Sequence, residues 1–232
     1  QDAPVAHRDV RRLRPAGVHG QDAAGNWGPF QAAVVSNDTT GPVSSGLALS
    51  PNPANGTANV TLTATGDDSA SGGSNITTAE YSIDGGPAVA MTVTPSGAKI
   101  ASLSAVISAA TVTGLSDGSH TISVRSQDSA NNWGALATTT LVVDKAGPAT
   151  SNVLAAPNPN NGKRGLNSTI VAVRVTATFE DSITRIGAAE GFIDNVGANG
   201  SGIIFIPKDG LFNTQSEQGY ADIPLATINA LS

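Results

Sequence analysis

The 232-residue chain has no cysteine, so neither a disulfide framework nor a thiolate metal site is open to it. Aromatic residues make up only 4% of it, which leaves the core to Val, Ile, Leu and Ala. Charged residues are also scarce, at 13%, about half the usual share. The net charge of −6 argues against nucleic acid, which requires a basic face. No apolar run approaches the roughly 20 residues of a membrane helix, so membrane insertion is not expected. The first residues lack the apolar stretch of a signal peptide, and Gln1 is expected to begin a mature, trimmed or excerpted piece. Three scattered histidines and the absence of G-x-S-x-G or H-E-x-x-H leave no catalytic constellation, so the chain is expected not to be an enzyme.

What is present is repetition. Gly20-Gln-Asp-Ala-Ala-Gly-Asn-Trp-Gly28 returns 106 residues later as Ser126-Gln-Asp-Ser-Ala-Asn-Asn-Trp-Gly134, with six of nine identities. The same offset relates Gly41-Pro42 to Gly147-Pro148, and Pro51-Asn-Pro53 to Pro157-Asn-Pro159. A fixed period of that size reads as a tandem array of domains. The divisions expected are 1–39 (a leader and the last two strands of a preceding repeat), 40–146 (a complete module) and 147–232 (a third repeat lacking its last two strands). Arg8, Arg11, Arg12 and Arg14 crowd the leader, which reads as a solvated terminus.

Within the complete module, Val60, Leu62 and Ala64 alternate with Thr61, Thr63 and Thr65, the period of a half-buried strand. Thr78–Asp84, Ala88–Val93, Leu103–Val112, Thr121–Arg125 and Thr138–Val143 read the same way, with turns at Asp84-Gly85-Gly86 and Asp117-Gly118. Short strands at this spacing without helical period predict an all-β fold of antiparallel Greek-key sandwiches.

The string Asp117-Gly-Ser-His-Thr-Ile-Ser-Val-Arg-Ser-Gln-Asp-Ser-Ala-Asn-Asn-Trp-Gly134, with Ala79-Glu-Tyr-Ser-Ile-Asp-Gly-Gly86 upstream, resembles bacterial immunoglobulin-like repeats of secreted and surface proteins. The resemblance spans Val18 to the C-terminus. It implies tandem Ig-like sandwiches, an extracellular or cell-surface location, and a structural or adhesive role as a spacer or stalk. Neighbouring repeats, other copies of the chain, or a surface glycan or protein are the partners it implies. The fold alone assigns no activity.

In an Ig-like arrangement the loop bearing Asp67 and Asp68 and the loop bearing Asp128 and Asn131 share one end. Their oxygens are candidate Ca²⁺ ligands, and turn-capping by the same side chains is the competing reading. Asp22 stands at the place of Asp128, and Glu180 and Asp181 at those of Asp67 and Asp68. Trp27 and Trp133, the only tryptophans, are candidates for a module junction or a sugar-stacking platform. A calcium- or glycan-binding module attached to a secreted hydrolase is therefore one alternative role. A filament subunit is another. In that reading residues 18–37, with Val18, Trp27, Phe30 and Val34, complete the third repeat of the next molecule by strand addition.

Overall fold

The computed structural model describes residues 14–163, 169 and 171–231. The leader arginines Arg8, Arg11 and Arg12 lie outside the described residues. The described chain is mostly β, in antiparallel sheets, and it divides into two units, Gln1–Val143 and Asp144–Ser232.

Residues of the first unit form β1 (Arg14–Val18), β2 (Gln31–Val35), β3 (Val43–Ser50), β4 (Val60–Asp67), β5 (Ile76–Ile83), β6 (Val89–Ala90) and β7 (Thr92–Thr94). They continue with β8 (Ile100–Ile107), helix α1 (Ala109–Gly114), β9 (Gly118–Asp128) and β10 (Ala137–Val143). Strands β1 and β2 make an isolated hairpin. The others form two four-stranded sheets, β3-β4-β8-β7 and β10-β9-β5-β6, around one core. Val60, Leu62, Leu103 and Ile107 face it from the first sheet, and Tyr81, Ile122, Val124 and Leu141 from the second. The threonines of β4 point outward, as the alternation requires.

The strand expected over Leu103–Val112 is cut short. It ends at Ile107, and Ser108 caps a helical turn, its Oγ accepting the Thr111 amide at 3.1 Å. Leucine and valine spacing cannot separate one buried helical turn from a strand end, and Val112 is fully buried either way. The Pro51-Asn-Pro53 motif serves the edge of β10. Asn52 Nδ2 donates to Thr140 O and its Oδ1 accepts from Val142 N, both at 2.9 Å. That satisfies edge groups that would otherwise be open for pairing.

The second unit contains β11 (Ala149–Ala156), β12 (Ala172–Glu180), β13 (Glu190–Gly191), β14 (Ile203–Ile204), β15 (Ile206–Pro207), β16 (Ser216–Pro224) and α2 (Leu225–Asn229). Its sheets are β11-β12-β16-β15 and the pair β13-β14. The register repeats that of the first unit. Val173↔Ile223 matches Val60↔Ile107, and the Phe205 amide bonds Ala189 O as the Met91 amide bonds Ala79 O. Asp194 adopts a left-handed φ of 62°, as Asp84 does at 51°. Both β3 and β11 carry a bulge at a left-handed residue, Gly46 and Asn152. The Gly-rich segment Gly197–Gly219 contains the two-residue strands β14 and β15 and the start of β16, and the rest of it is turns and irregular backbone.

His120 is tied inside the first unit. Its Nδ1 lies 2.6 Å from Asp84 Oδ2 and its Nε2 lies 2.9 Å from Ser116 O. The imidazole bond, then the Thr121 amide, holds the Asp84 carboxyl below its ordinary value. A depressed carboxyl contributes stability above the unfolded-state pKa and loses it as pH falls through the folded value. Asp84→Asn keeps a residue that tolerates left-handed φ. It is expected to lower urea stability at neutral pH, with the difference from the parent vanishing once pH drops below the carboxylate range.

Candidate metal centre

Three separate turns deliver carboxylates to one end of the β3–β10 module. Asp38 lies between β2 and β3, Asp68 follows β4, and Asp128 ends β9. One oxygen from each lies within 4.8 Å of the others. Asp38 is half-buried, while Asp68 and Asp128 are 0% and 1% exposed.

Local chemistry fixes two of the three. Asp128 closes its own turn, Oδ1 accepting the Ala130 and Asn132 amides at 2.8 and 2.9 Å and Oδ2 accepting Asn132 Nδ2 at 3.0 Å. A carboxylate offers about four lone-pair sites, so these bonds orient it without exhausting it. Asp38 accepts the Thr40 amide at 3.1 Å and the Ser74 hydroxyl. Asn132 Nδ2 also reaches the Asp38 carbonyl at 3.2 Å, tying the segment after β2 to the turn after β9. Gly72 admits the Asp38 carboxylate, since a Cβ there would overlap it.

Asp68 is different. Its backbone is secured, the amide donating to Lys99 O and the carbonyl accepting the amides of Ser71, Gly72 and Gly73. Its side chain is not, because both carboxylate oxygens are buried without a hydrogen-bond partner. Burial pushes the Asp68 carboxyl above its ordinary range, and the nearby charges of Asp38 and Asp128 push the same way. The Ser71 hydroxyl and the Ser74 amide lie close enough to offset part of this, without reaching bonding geometry. An uncompensated buried charge costs several kcal/mol, and buried polar atoms are rarely left unpaired. Three converging carboxylates with no nitrogen or sulfur among them suit a hard cation. Ca²⁺ takes six to eight oxygens at 2.3–2.6 Å, so opposite ligands stand about 5 Å apart, as this trio allows.

Of the residues singled out by sequence, Asp68 and Asp128 come together. Asp67 caps instead, accepting the Ser69 amide at 2.8 Å and its hydroxyl at 2.6 Å, and those bonds hold it below the ordinary range. Asn131 is exposed and bends the turn at φ 66°, its carbonyl accepting Gln127 Nε2. Asp38 is the member of the cluster that the sequence pattern does not single out. The available signal was its place three residues before Gly41-Pro42, repeated by Asp144 before Gly147-Pro148.

Trp133 is 37% exposed, with the Arg125 guanidinium 4.6 Å above its ring, and its backbone abuts Gly41. Arg125 in turn pairs with Glu80 at 2.6 Å. Trp27 is 60% exposed and stacks on His19 at 4.3 Å. Val18, Phe30 and Val34 are likewise exposed on the hairpin. Val18 and Ala16 share one face of it, whereas Phe30 lies across Gly17 on the face of His19 and Trp27.

A scan against protein-family models and a search of the curated proteins find no match to the chain.

Asp68→Asn removes the buried charge while keeping the shape. In chelator it is expected to melt several degrees above the parent, a gain on the order of 1 kcal/mol, yet to lose any calcium-dependent rise in Tm. Gly72→Ala displaces Asp38 and is expected to weaken calcium binding about tenfold or more by calorimetry, with the core strands intact by circular dichroism.

Proposed function

We propose that the chain is a non-catalytic stretch of tandem immunoglobulin-like sandwiches, a spacer or stalk of a secreted or surface protein, stiffened by Ca²⁺ at Asp38, Asp68 and Asp128. The observation that carries this reading is the Asp68 carboxylate, fully buried and unpartnered beside two others. A fold does not keep such a group for stability, whereas a cation turns the same arrangement into a net gain.

The placement of Asp38 gives the ion its role. It belongs to the segment joining the β1–β2 hairpin to the module, while Asp68 and Asp128 belong to the module itself. An ion bridging them fixes that segment at the Trp133 end, where Gly41 already packs against Trp133 and Gly134 backbone. Extracellular modules bind calcium with Kd around 10⁻⁴–10⁻³ M, so such a site is filled outside cells and empty within them. The low charge and the hydroxyl- and amide-rich surface agree with an inert spacer.

At calcium a hundredfold above Kd, binding to the folded state adds about 2.7 kcal/mol. Titration calorimetry is expected to show binding that Asp68→Asn abolishes, and calcium is expected to protect residues 36–41 from limited proteolysis. Cleavage there at the same rate in calcium and in chelator contradicts the role.

A further inference from the structure

The sheets β3-β4-β8-β7 and β11-β12-β16-β15 share a register, yet their outer faces carry different side chains. In the first unit that face is short throughout, with Thr61, Thr63 and Thr65 on β4, Ser102 and Ser104 on β8, and Thr94 on β7. In the second, Arg174 stands at the place of Thr61, Gln218 at that of Ser102 and Tyr220 at that of Ser104. The Lys208 amide bonds Gln218 O where Thr94 pairs with Ser102, so Lys208 replaces Thr94. The bulge of β3 turns at Gly46, which has no side chain, whereas the bulge of β11 turns at Asn152. These residues alternate with the buried Ala177, Phe179 and Ala221, and so lie on the side of the sheet away from its core.

The longer side chains wall a polar groove of about 560 Å³, lined by Asn152, Arg174, Thr176, Lys208, Gln218 and Tyr220 among others. Neighbours fix its arms. Arg174 Nε and Nη2 donate to the Asp222 carboxylate, both at 2.7 Å, and the guanidinium lies 4.0 Å from the centre of the Tyr220 ring. Lys208 Nζ donates to Gln218 Oε1 at 2.8 Å. A guanidinium has five N–H groups and an ammonium three, so both keep donors to spare. Stability does not account for the set. Ordering long side chains on an exposed face costs rotamer freedom, and a solvent-screened ion pair returns little of it. The first unit builds the same sheet without them. Arg174 and Lys208 are the charged residues lining the groove, with Asp222 beside the first, which leaves one positive charge in excess within a chain of net charge −6.

We propose that this groove binds an acidic polysaccharide, a chain of uronic acid sugars, on the outer face of the β11-β12-β16-β15 sheet. The spare donors of Arg174 and Lys208 meet the sugar carboxylates in charge-assisted hydrogen bonds. Asn152 and Gln218 each present a donor and an acceptor side by side, which matches vicinal hydroxyls, and Thr176 adds a hydroxyl of its own. Tyr220 supplies the apolar surface against which the C–H face of a pyranose ring packs. Other occupants fit less well. The backbone groups within the face are already paired along the ladders, so an extended peptide finds no strand to lengthen there. An excess of one positive charge is small for the phosphate density of nucleic acid. This binding goes beyond a spacer's role and requires no metal ion.

Titration calorimetry tests the site in the full chain, with chelator present so that no ion reaches Asp38, Asp68 and Asp128. Oligomers of galacturonate, mannuronate and glucuronate are the probes, and at least one of them is expected to bind, more weakly as salt is raised. The methyl ester of the bound oligomer keeps the rings and loses the charge. It is expected to bind at least about tenfold more weakly, the scale of one lost hydrogen bond to a charged group. Lys208→Thr and Tyr220→Ser install the first unit's own residues, which this sheet geometry accepts. Each is expected to lower affinity by at least about tenfold with the circular dichroism unchanged. Lys208 is exposed, so Lys208→Thr keeps the test open should Tyr220→Ser disturb the sheet. Binding of none of the three oligomers, comparable affinity for acid and ester, or full affinity in Lys208→Thr overturns the proposal. The calcium reading is tested on Asp68→Asn, so failure of either idea leaves the other standing.

Discussion

The module depends on β9 lying between β5 and β10. This one strand covers the inner face of β4 with Ile122 and Val124, supplies pairing groups to both neighbours, and ends at Asp128. Burying Val- or Leu-sized side chains contributes about 1.5–3 kcal/mol each. In a chain with so few aromatics the core therefore stands on a handful of aliphatic residues placed by β9 and its partner. The strand that closes the core also aims the carboxylate, so packing and electrostatics share one part.

That coupling explains how three like charges come together. Asp128 is oriented by its own turn, Asp38 by Thr40 and Ser74, and Asp68 by backbone bonds from Ser71, Gly72 and Gly73. None of these bonds neutralises Asp68. Backbone geometry holds the side chain where its charge is unfavourable, and the stability of the surrounding sheets offsets the cost. Oxygens preorganised in this way lose little entropy on meeting an ion.

Much of the β architecture was legible because alternation at Val60, Leu62 and Ala64 and the glycine turns are local signals. Repetition of the Gln-Asp…Asn-Trp-Gly motif places Asp22 and Asp128 in equivalent turns from sequence alone. The α1 turn was not legible, because Val112 suits a helical turn as well as a strand. The site was half legible. Asp68 and Asp128 stand out in loops, but whether Asp67 or Asp68 turns inward depends on where β4 ends. Asp38 lies outside the module's own strands, and only the fold brings it near.

Asp38 sits in series with the covalent backbone, between one folded element and the next. Tension applied along the chain reaches this residue before it reaches the β3–β4 ladder. With an ion in place, the load passes through metal–oxygen contacts into Asp68 and Asp128 at the ends of two central strands. Without one, it falls on the bonds to Thr40, Ser74 and Asn132. On the proposed calcium reading, the yield point of such a tether is set by the solution around it, and the same polypeptide is slack in one medium and taut in another.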